Sequence, residues 1–148
     1  MPKAIPEGYH SITPYLIVNG AAKALEFYRK AFGAEETVRM PMPDGRVGHA
    51  EMRIGDSMFM LADEFPDRDI RGPQGTPPVH FVIYCEDVDT VLKRAMAAGA
   101  KELRPVQNQF YGDRSGMVTD PFGHQWTVAT HVEDVPPEEM KRRMEQQK

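Results

Sequence analysis

The sequence predicts an α+β protein made of two βαβββ modules in tandem, and three spacings carry that reading. Ile54-Gly55-Asp56-Ser57 and the stretch around Asp120-Pro121-Phe122-Gly123 both read as strand, glycine turn, strand, with Gly55 and Gly123 standing 68 residues apart. Thr13-Pro14-Tyr15-Leu16-Ile17-Val18-Asn19-Gly20 lies over His80-Phe81-Val82-Ile83-Tyr84-Cys85-Glu86-Asp87 at an offset of 67. The helix-ending pair Gly33-Ala34 lies over Gly99-Ala100 at 66. Markers that drift so little over so long a span describe one module written twice.

The first module is expected over residues 9–62. It opens with an extended apolar run at 11–18, in which Pro14 points to an edge strand or a strand start. Asn19 is a good N-cap for a helix over 21–32, whose apolar positions Ala21, Ala24, Leu25, Tyr28, Ala31 and Phe32 keep the spacing of one buried face. Gly33 supplies the left-handed stop. A strand over 35–42, a turn at Pro43-Asp44-Gly45 and a strand over 47–54 form a hairpin, and a strand over 57–62 completes the module. Residues 63–78 hold four prolines, two glycines and six charged groups, the composition of a surface connection that could be mobile and could lie over a site.

The second module, 79–135, repeats the order. A strand over 79–85 leads to a helix capped by Asp87 and running through Ala98, with Val88, Val91, Leu92, Ala95 and Met96 as its apolar face. Strands follow near 102–107, 115–119 and 125–130. Beyond His131 the chain turns polar, and residues 136–148 read as a short charged helix or tail opened by Pro136-Pro137-Glu138-Glu139. Met140 and Met144 are its only apolar side chains, so it is expected to dock weakly or not at all.

Composition bounds the function. The 148 residues, 41% of them hydrophobic, suffice for one domain or two small fused modules with a real core. No apolar run approaches the roughly 20 residues of a membrane span, and the N-terminal stretch lacks the apolar centre of a secretion signal. The single cysteine, Cys85, rules out an intrachain disulfide framework and fits a reducing cytoplasm. With a net charge of −4 and no block of Lys or Arg, neither nucleic acid nor an anionic membrane is an expected partner.

The wording of three stretches, ITPYLIVNGAAKALEFYRKAFGAE, HAEMRIGDSMFMLADE and DRSGMVTDPFGHQWTVATH, together with HFVIYCEDVDTV opening the second module, resembles the vicinal oxygen chelate superfamily. That superfamily holds glyoxalase I, bleomycin-resistance proteins and extradiol dioxygenases, and the match is closer to its PhnB-like branch, over roughly residues 9–135. The resemblance implies sheets curving into a U-shaped cleft with helices packed outside. It leaves function open, because members of one fold do different things. Metal-using relatives place His or Gln on the first strand of each module and Glu on the last. Carried over position by position, those four places hold Thr13, Phe59, His80 and Thr127. Only His80 is a ligand type, so no metal cofactor of the usual kind is expected.

If those four positions face the cleft, strand alternation brings Tyr15, Ile17, Leu61, Val82, Tyr84 and Ala129 there too, and turns Met58, Met60, Trp126 and Val128 to the helices. On the strand over 47–54, His49 and Glu51 share the face opposite Ala50, Met52 and Ile54. They are either an outer polar ladder, an acid–base pair, or, with His80, a displaced metal site. Tyr111, Asp113 and Arg114 lie in a loop that either contacts a ligand or is simply solvated.

Two readings from different classes follow. One is a metal-free module that binds a small organic molecule in an aromatic cleft, with Tyr15, Phe59, Tyr84 and Tyr111 supplying stacking area, His49, Glu51 and His80 orienting polar groups, and Thr13 and Thr127 among the ligand-binding positions. The other is a metal-dependent lyase, isomerase or dioxygenase whose divalent ion is held around His80, His49 and Glu51. A domain with neither activity is the blander third. Exposed strand edges and the length of the 63–78 connection predict a homodimer whose clefts are lined by both chains.

Overall fold

The computed structural model describes residues 2–147; Met1 and Lys148, the last residue of the expected tail, lie outside the described residues. The chain forms two compact units: residues up to Pro77 with Pro121–Gly123, and Pro78–Asp120 with the chain from His124 onward. In the first unit β1 (Tyr15–Val18), α1 (Ala21–Phe32), β2 (Glu35–Pro41), β3 (Val47–Ile54) and β4 (Ser57–Asp63) build a four-stranded sheet of order β1-β4-β3-β2. In the second, β5 (Phe81–Tyr84), α2 (Val88–Ala97), β6 (Lys101–Asn108), β7 (Asp113–Thr119) and β8 (Gln125–His131) give the order β5-β8-β7-β6, followed by α3 (Pro137–Glu145). The expected βαβββ order therefore occurs twice, with the first strand parallel to the fourth in each sheet.

The prolines in or beside the sheets lie at edge strands, where a missing N–H does little harm, and Pro41 ends β2, the outer strand of the first sheet. Pro14 immediately precedes β1, an edge strand, and its carbonyl accepts from Met60 N–H at 2.9 Å. Pro105 lies on β6, the opposite kind of edge, inside a register shift between Arg104 and Gln107. Helix α1 buries Ala21, Ala24, Leu25, Phe27, Tyr28 and Ala31, so Phe27 joins the expected face. It ends at Gly33, at φ 70°, where Gly33 N–H reaches Arg29 O and Ala34 N–H reaches Tyr28 O. The ring of Phe122 packs into the same cluster, 6.2 Å from Phe27 and 6.3 Å from Tyr28 between centroids.

The start of α1 differs from expectation. Asn19 is exposed and Gly20, at φ 102°, takes the cap position with no side chain to offer. The acceptor arrives from the far end of the module. Asp63, 8% exposed at the end of β4, accepts Gly20 N–H and Ala21 N–H on one oxygen, both at 2.9 Å, and Val47 N–H on the other at 2.8 Å. The second unit repeats the device in weaker form: Thr130 Oγ1 accepts Val88 N–H at 3.0 Å, while Asp87 caps its own helix through Thr90 N–H.

The facing of β4 is a correction. Phe59 is 5% exposed and packs edge-on against Tyr28 of α1 at 5.7 Å, and Leu61 is fully buried on the same side. Met58 and Met60 are half-buried, with Met60 in register with Tyr15 and Glu51. In the second unit Trp126 and Val128 are buried and Thr127 is half-buried, as alternation predicted. The difference comes from turns of unequal length. Ile54 pairs with Ser57 across a two-residue turn, whereas Thr119 pairs with Gln125 across five residues. Aligning Gly55 with Gly123 thus shifts the strand by one, and one residue exchanges the two faces. Phe59 pairs with Met52 as Trp126 pairs with Val118, so the equivalent of Phe59 is Trp126, at an offset of 67.

Two networks close the second unit. Asp120, 3% exposed, accepts His124 N–H at 3.0 Å and the indole N–H of Trp126 at 2.9 Å, which joins the turn to the core. Tyr84 Oη donates to Asp113 Oδ2 at 2.8 Å, Asp113 Oδ1 meets His131 Nδ1 at 2.8 Å, and His131 Nε2 meets Asp134 at 2.7 Å. Hydrogen bonds to the carboxylates of Asp113 and then Asp134 hold the His131 imidazole above its ordinary pKa. Helix α3 buries no residue, yet docks through Arg143, which forks onto Glu133 at 2.9 Å and reaches Phe110 O at 3.0 Å.

Replacing Asp63 with Ala should lower stability by about 3 kcal/mol, since three backbone donors lose a charged acceptor. Asn19→Ala should stay within about 0.5 kcal/mol. Urea denaturation of both variants checks this, and equal losses would mean that Asp63 is not the cap. For His131 the raised pKa sets the sign: its bonds stabilise the fold fully below its unfolded pKa of about 6.5, and the gain disappears as pH rises through the higher folded value. The advantage of the wild type over His131→Ala in thermal melts should therefore shrink with rising pH; an advantage that grew would contradict the assignment.

Candidate functional site

The connection after β4 folds back on the first unit as a tight strap. Phe65 and Ile70 exchange backbone hydrogen bonds at 2.8 and 3.1 Å around a 3₁₀ turn at Pro66–Arg68, and Asp69 completes the reversal at φ 58°. Phe65 is 8% exposed beneath the guanidinium of Arg46, whose carbon lies 4.4 Å from the ring centroid. Further on, a Cβ added to Gly72 would sit 3.0 Å from Ile17 O, so the strap runs close against β1. Between strap and sheet lies a pocket of about 580 Å³. Tyr15, Ile17 and Ala62 line it from the sheet, and Phe65, Arg68, Asp69, Ile70 and Arg71 line it from the strap. Arg46 is engaged by Asp44 at 2.7 Å, whereas Arg71 is only 3.5 Å from Asp69 in an exposed pair. The strap thus sets two arginines against mostly apolar walls.

One wall of this pocket continues into a hydrogen-bonded row. Tyr15, Met60 and Glu51 are register partners across β1, β4 and β3, and His49 shares the Glu51 face two residues earlier. Tyr15 Oη lies 2.8 Å from His49 Nδ1, and His49 Nε2 lies 2.8 Å from Glu51 Oε2. Tyr9 Oη donates to Glu51 Oε1. An ionised Glu51 can only accept, so with a neutral ring the proton is on Nε2, and Nδ1 accepts from the Tyr15 hydroxyl. Burial raises the pKa of the Tyr15 phenol above its ordinary value. The row therefore holds a protonated tyrosine at the pocket, backed by an imidazole and a carboxylate.

The other residues singled out from sequence lie on separate elements of the two units. Thr13 is half-buried just before β1, and Phe59 faces α1 rather than the open side of the sheet. His80 stands exposed ahead of β5. Tyr84 is 63% exposed but bound to Asp113, a bond that raises its phenol pKa. Thr127 is half-buried on β8, and Tyr111 is exposed with its ring edge-on to Phe110 at 5.2 Å. Arg114 is spent on Asp89 of α2, with contacts of 2.9 and 3.0 Å. Sequence reasoning missed Tyr9, Arg68 and Arg71. Nothing local ties Tyr9 to Glu51, while the strap's proline and charge content marked only the segment.

The divalent ion of metal-using relatives does not fit these side chains. With the register corrected, the four carried-over places hold Thr13, Met60, His80 and Thr127. Two hydroxyls, a thioether and one imidazole lack the carboxylates that such an ion takes. Among the described residues no group of three or more His, Cys, Asp or Glu could hold a metal ion.

The family pattern described as Glyoxalase/Bleomycin resistance protein/Dioxygenase superfamily matches residues 8–128. An uncharacterized protein of Mycobacterium bovis is 39% identical over 143 residues, covering 93% of each chain. Among solved structures, TioX from Micromonospora sp. ML1 superposes with a TM-score of 0.67 at 24% identity, over 83% of this chain and 99% of its own. A putative 3-demethylubiquinone-9 3-methyltransferase, PhnB protein, from Bacillus cereus gives 0.67 at 23% identity, over 82% and 99%. At those identities the two structures speak for fold alone, and they share the one built here from paired βαβββ units. With its pattern matched over most of its length, the chain belongs to the glyoxalase/bleomycin resistance protein/dioxygenase superfamily.

Proposed function

We propose that the protein binds a small, negatively charged aromatic molecule in the pocket between β1 and the strap, without a metal. The observation that carries this is the lining: apolar and aromatic walls from Tyr15, Ile17 and Phe65, faced by Arg68 and Arg71, around about 580 Å³. That volume falls in the range of small-molecule sites, whose few polar groups fix orientation. A planar ring would lie between Tyr15 and Phe65, and its carboxylate or phosphate would meet an arginine fork. Tyr15, His49 and Glu51 are the sequence-derived residues assigned to this site. Thr13, His80, Tyr84, Tyr111 and Thr127 would contribute only through a second contact surface.

We further infer a cytoplasmic homodimer. Val79, Val82 and Tyr84, all exposed, cluster at β5, the edge of the second sheet, and an uncovered edge with apolar neighbours favours pairing. Among the described residues no helix is long and apolar enough to cross a membrane. Light scattering at micromolar concentration should give twice the mass of one chain, and a monomer would remove this inference.

For binding, a panel of aromatic carboxylates and phosphates screened by thermal shift should contain ligands that raise the melting temperature, with affinity falling as salt rises. For any such ligand, Arg68→Ala or Arg71→Ala should weaken binding about tenfold in calorimetry, near 1.4 kcal/mol. Arg142→Ala, on α3, should leave it unchanged. Equal affinities across all three variants would place the ligand elsewhere.

A further inference from the structure

The row Tyr9–Glu51–His49–Tyr15 has an arrangement that simple binding does not require. Glu51 holds the ring nitrogen remote from the pocket, and the other nitrogen is left free to accept, 2.8 Å from the hydroxyl of a residue that lines the pocket. Tyr9 occupies the second oxygen of Glu51, so the carboxylate is oriented from two sides. Across the sheet, Met40 is the register partner of His49 on β2, and Met60 lies across from Glu51 on β4. On the pocket side the charged groups are Arg68, Asp69 and Arg71.

We propose that Tyr15, backed by His49 and Glu51, takes a proton from the molecule held in the pocket, so that the ligands are weak acids with a titratable O–H or N–H, retained as their anions. The proposal rests on the pocket reading given above. In the transfer, the O–H bond of the ligand breaks and its proton goes to Tyr15 Oη, while the proton already on Tyr15 passes to His49 Nδ1. The resulting imidazolium is hydrogen-bonded to the Glu51 carboxylate, and the ligand anion faces Arg68 and Arg71. No electrons change owner, and reversal returns every proton. Burial keeps Tyr15 itself protonated at rest, so the phenol serves as a conduit and His49 as the acceptor. His49 acts through Tyr15, and Glu51 fixes the tautomer.

4-Nitrophenol tests this directly, because it is a small aromatic acid whose phenolate is coloured and whose phenol is not. At a pH equal to its own pKa, about half of the free probe is phenol. Equilibrium dialysis measures how much probe is bound, and absorbance measures its phenolate share. For the wild type most of the bound probe should be phenolate; for His49→Gln and Tyr15→Phe that share, per bound molecule, should fall to the free value. Failure of the wild type to bind the probe removes the pocket reading for such acids and the relay with it. Binding with the free phenolate share, or a high share kept in His49→Gln, overturns the relay and leaves the pocket. ¹⁵N NMR of the ligand-free protein supplies an independent arm. His49 should be protonated on Nε2, and Tyr15→Phe should shift its Nδ1 resonance while leaving that of His131 in place as a control for folding. A proton found on Nδ1 would overturn the proposal.

Discussion

The carboxylate of Asp63 holds together three pieces of chain that local propensity leaves unconnected. Helix α1 begins at a glycine without a side chain to cap it, β3 begins after a hairpin turn, and β4 ends where the strap departs. One buried anion accepts the first N–H groups of the helix and the first of β3, so the end of the last strand fixes where the other two start. Because β4 lies between β1 and β3, this anchor also sets the row in which Tyr15, Met60 and Glu51 face one another. Thr130 plays the corresponding part for α2 with a neutral hydroxyl, 67 residues further on.

From that anchor the site follows by geometry. Departing immediately after Asp63, the chain passes through Glu64 into the Phe65 turn and is held by Arg46 above and Gly72 against β1. The strap can therefore place Arg68 and Arg71 opposite Tyr15 without any buried ion pair of its own, which keeps the cost of charge desolvation low. The polar row beside it has each hydrogen-bonding group matched to a partner, and among the described residues no buried side-chain polar atom lacks one.

Much of the fold was legible because periodicity and glycine position are local signals. Most of both helix faces, the stop at Gly33, the cap at Asp87 and the edge character of β1 could be read along the chain, although Met96, expected on the buried face of α2, is exposed. What escaped was decided by partners far apart in sequence. Asp63 caps a helix 42 residues away, and Tyr9 reaches Glu51 over the same separation. His131, at the end of β8, takes its partner Asp113 from 18 residues earlier in the chain. The placement of Phe59 failed for another reason: two turns of different length both carry a glycine, and matching the glycines moved the strand by one residue. His49 and Glu51 came through because alternation along β3 needs no outside reference.

The single tryptophan makes optical observation of this molecule one-sided. Trp126 is buried in the second unit, 3% exposed, with its indole N–H fastened to Asp120. Its emission is governed by the water and dipoles around that one ring. Fluorescence therefore follows loosening of the second unit alone, and a first unit that frayed separately would pass unseen by it. The tyrosines of the first unit, Tyr9, Tyr15 and Tyr28, are the natural counter-probe. A gap between the two signals would measure how far the halves of this duplicated chain have kept a common unfolding transition.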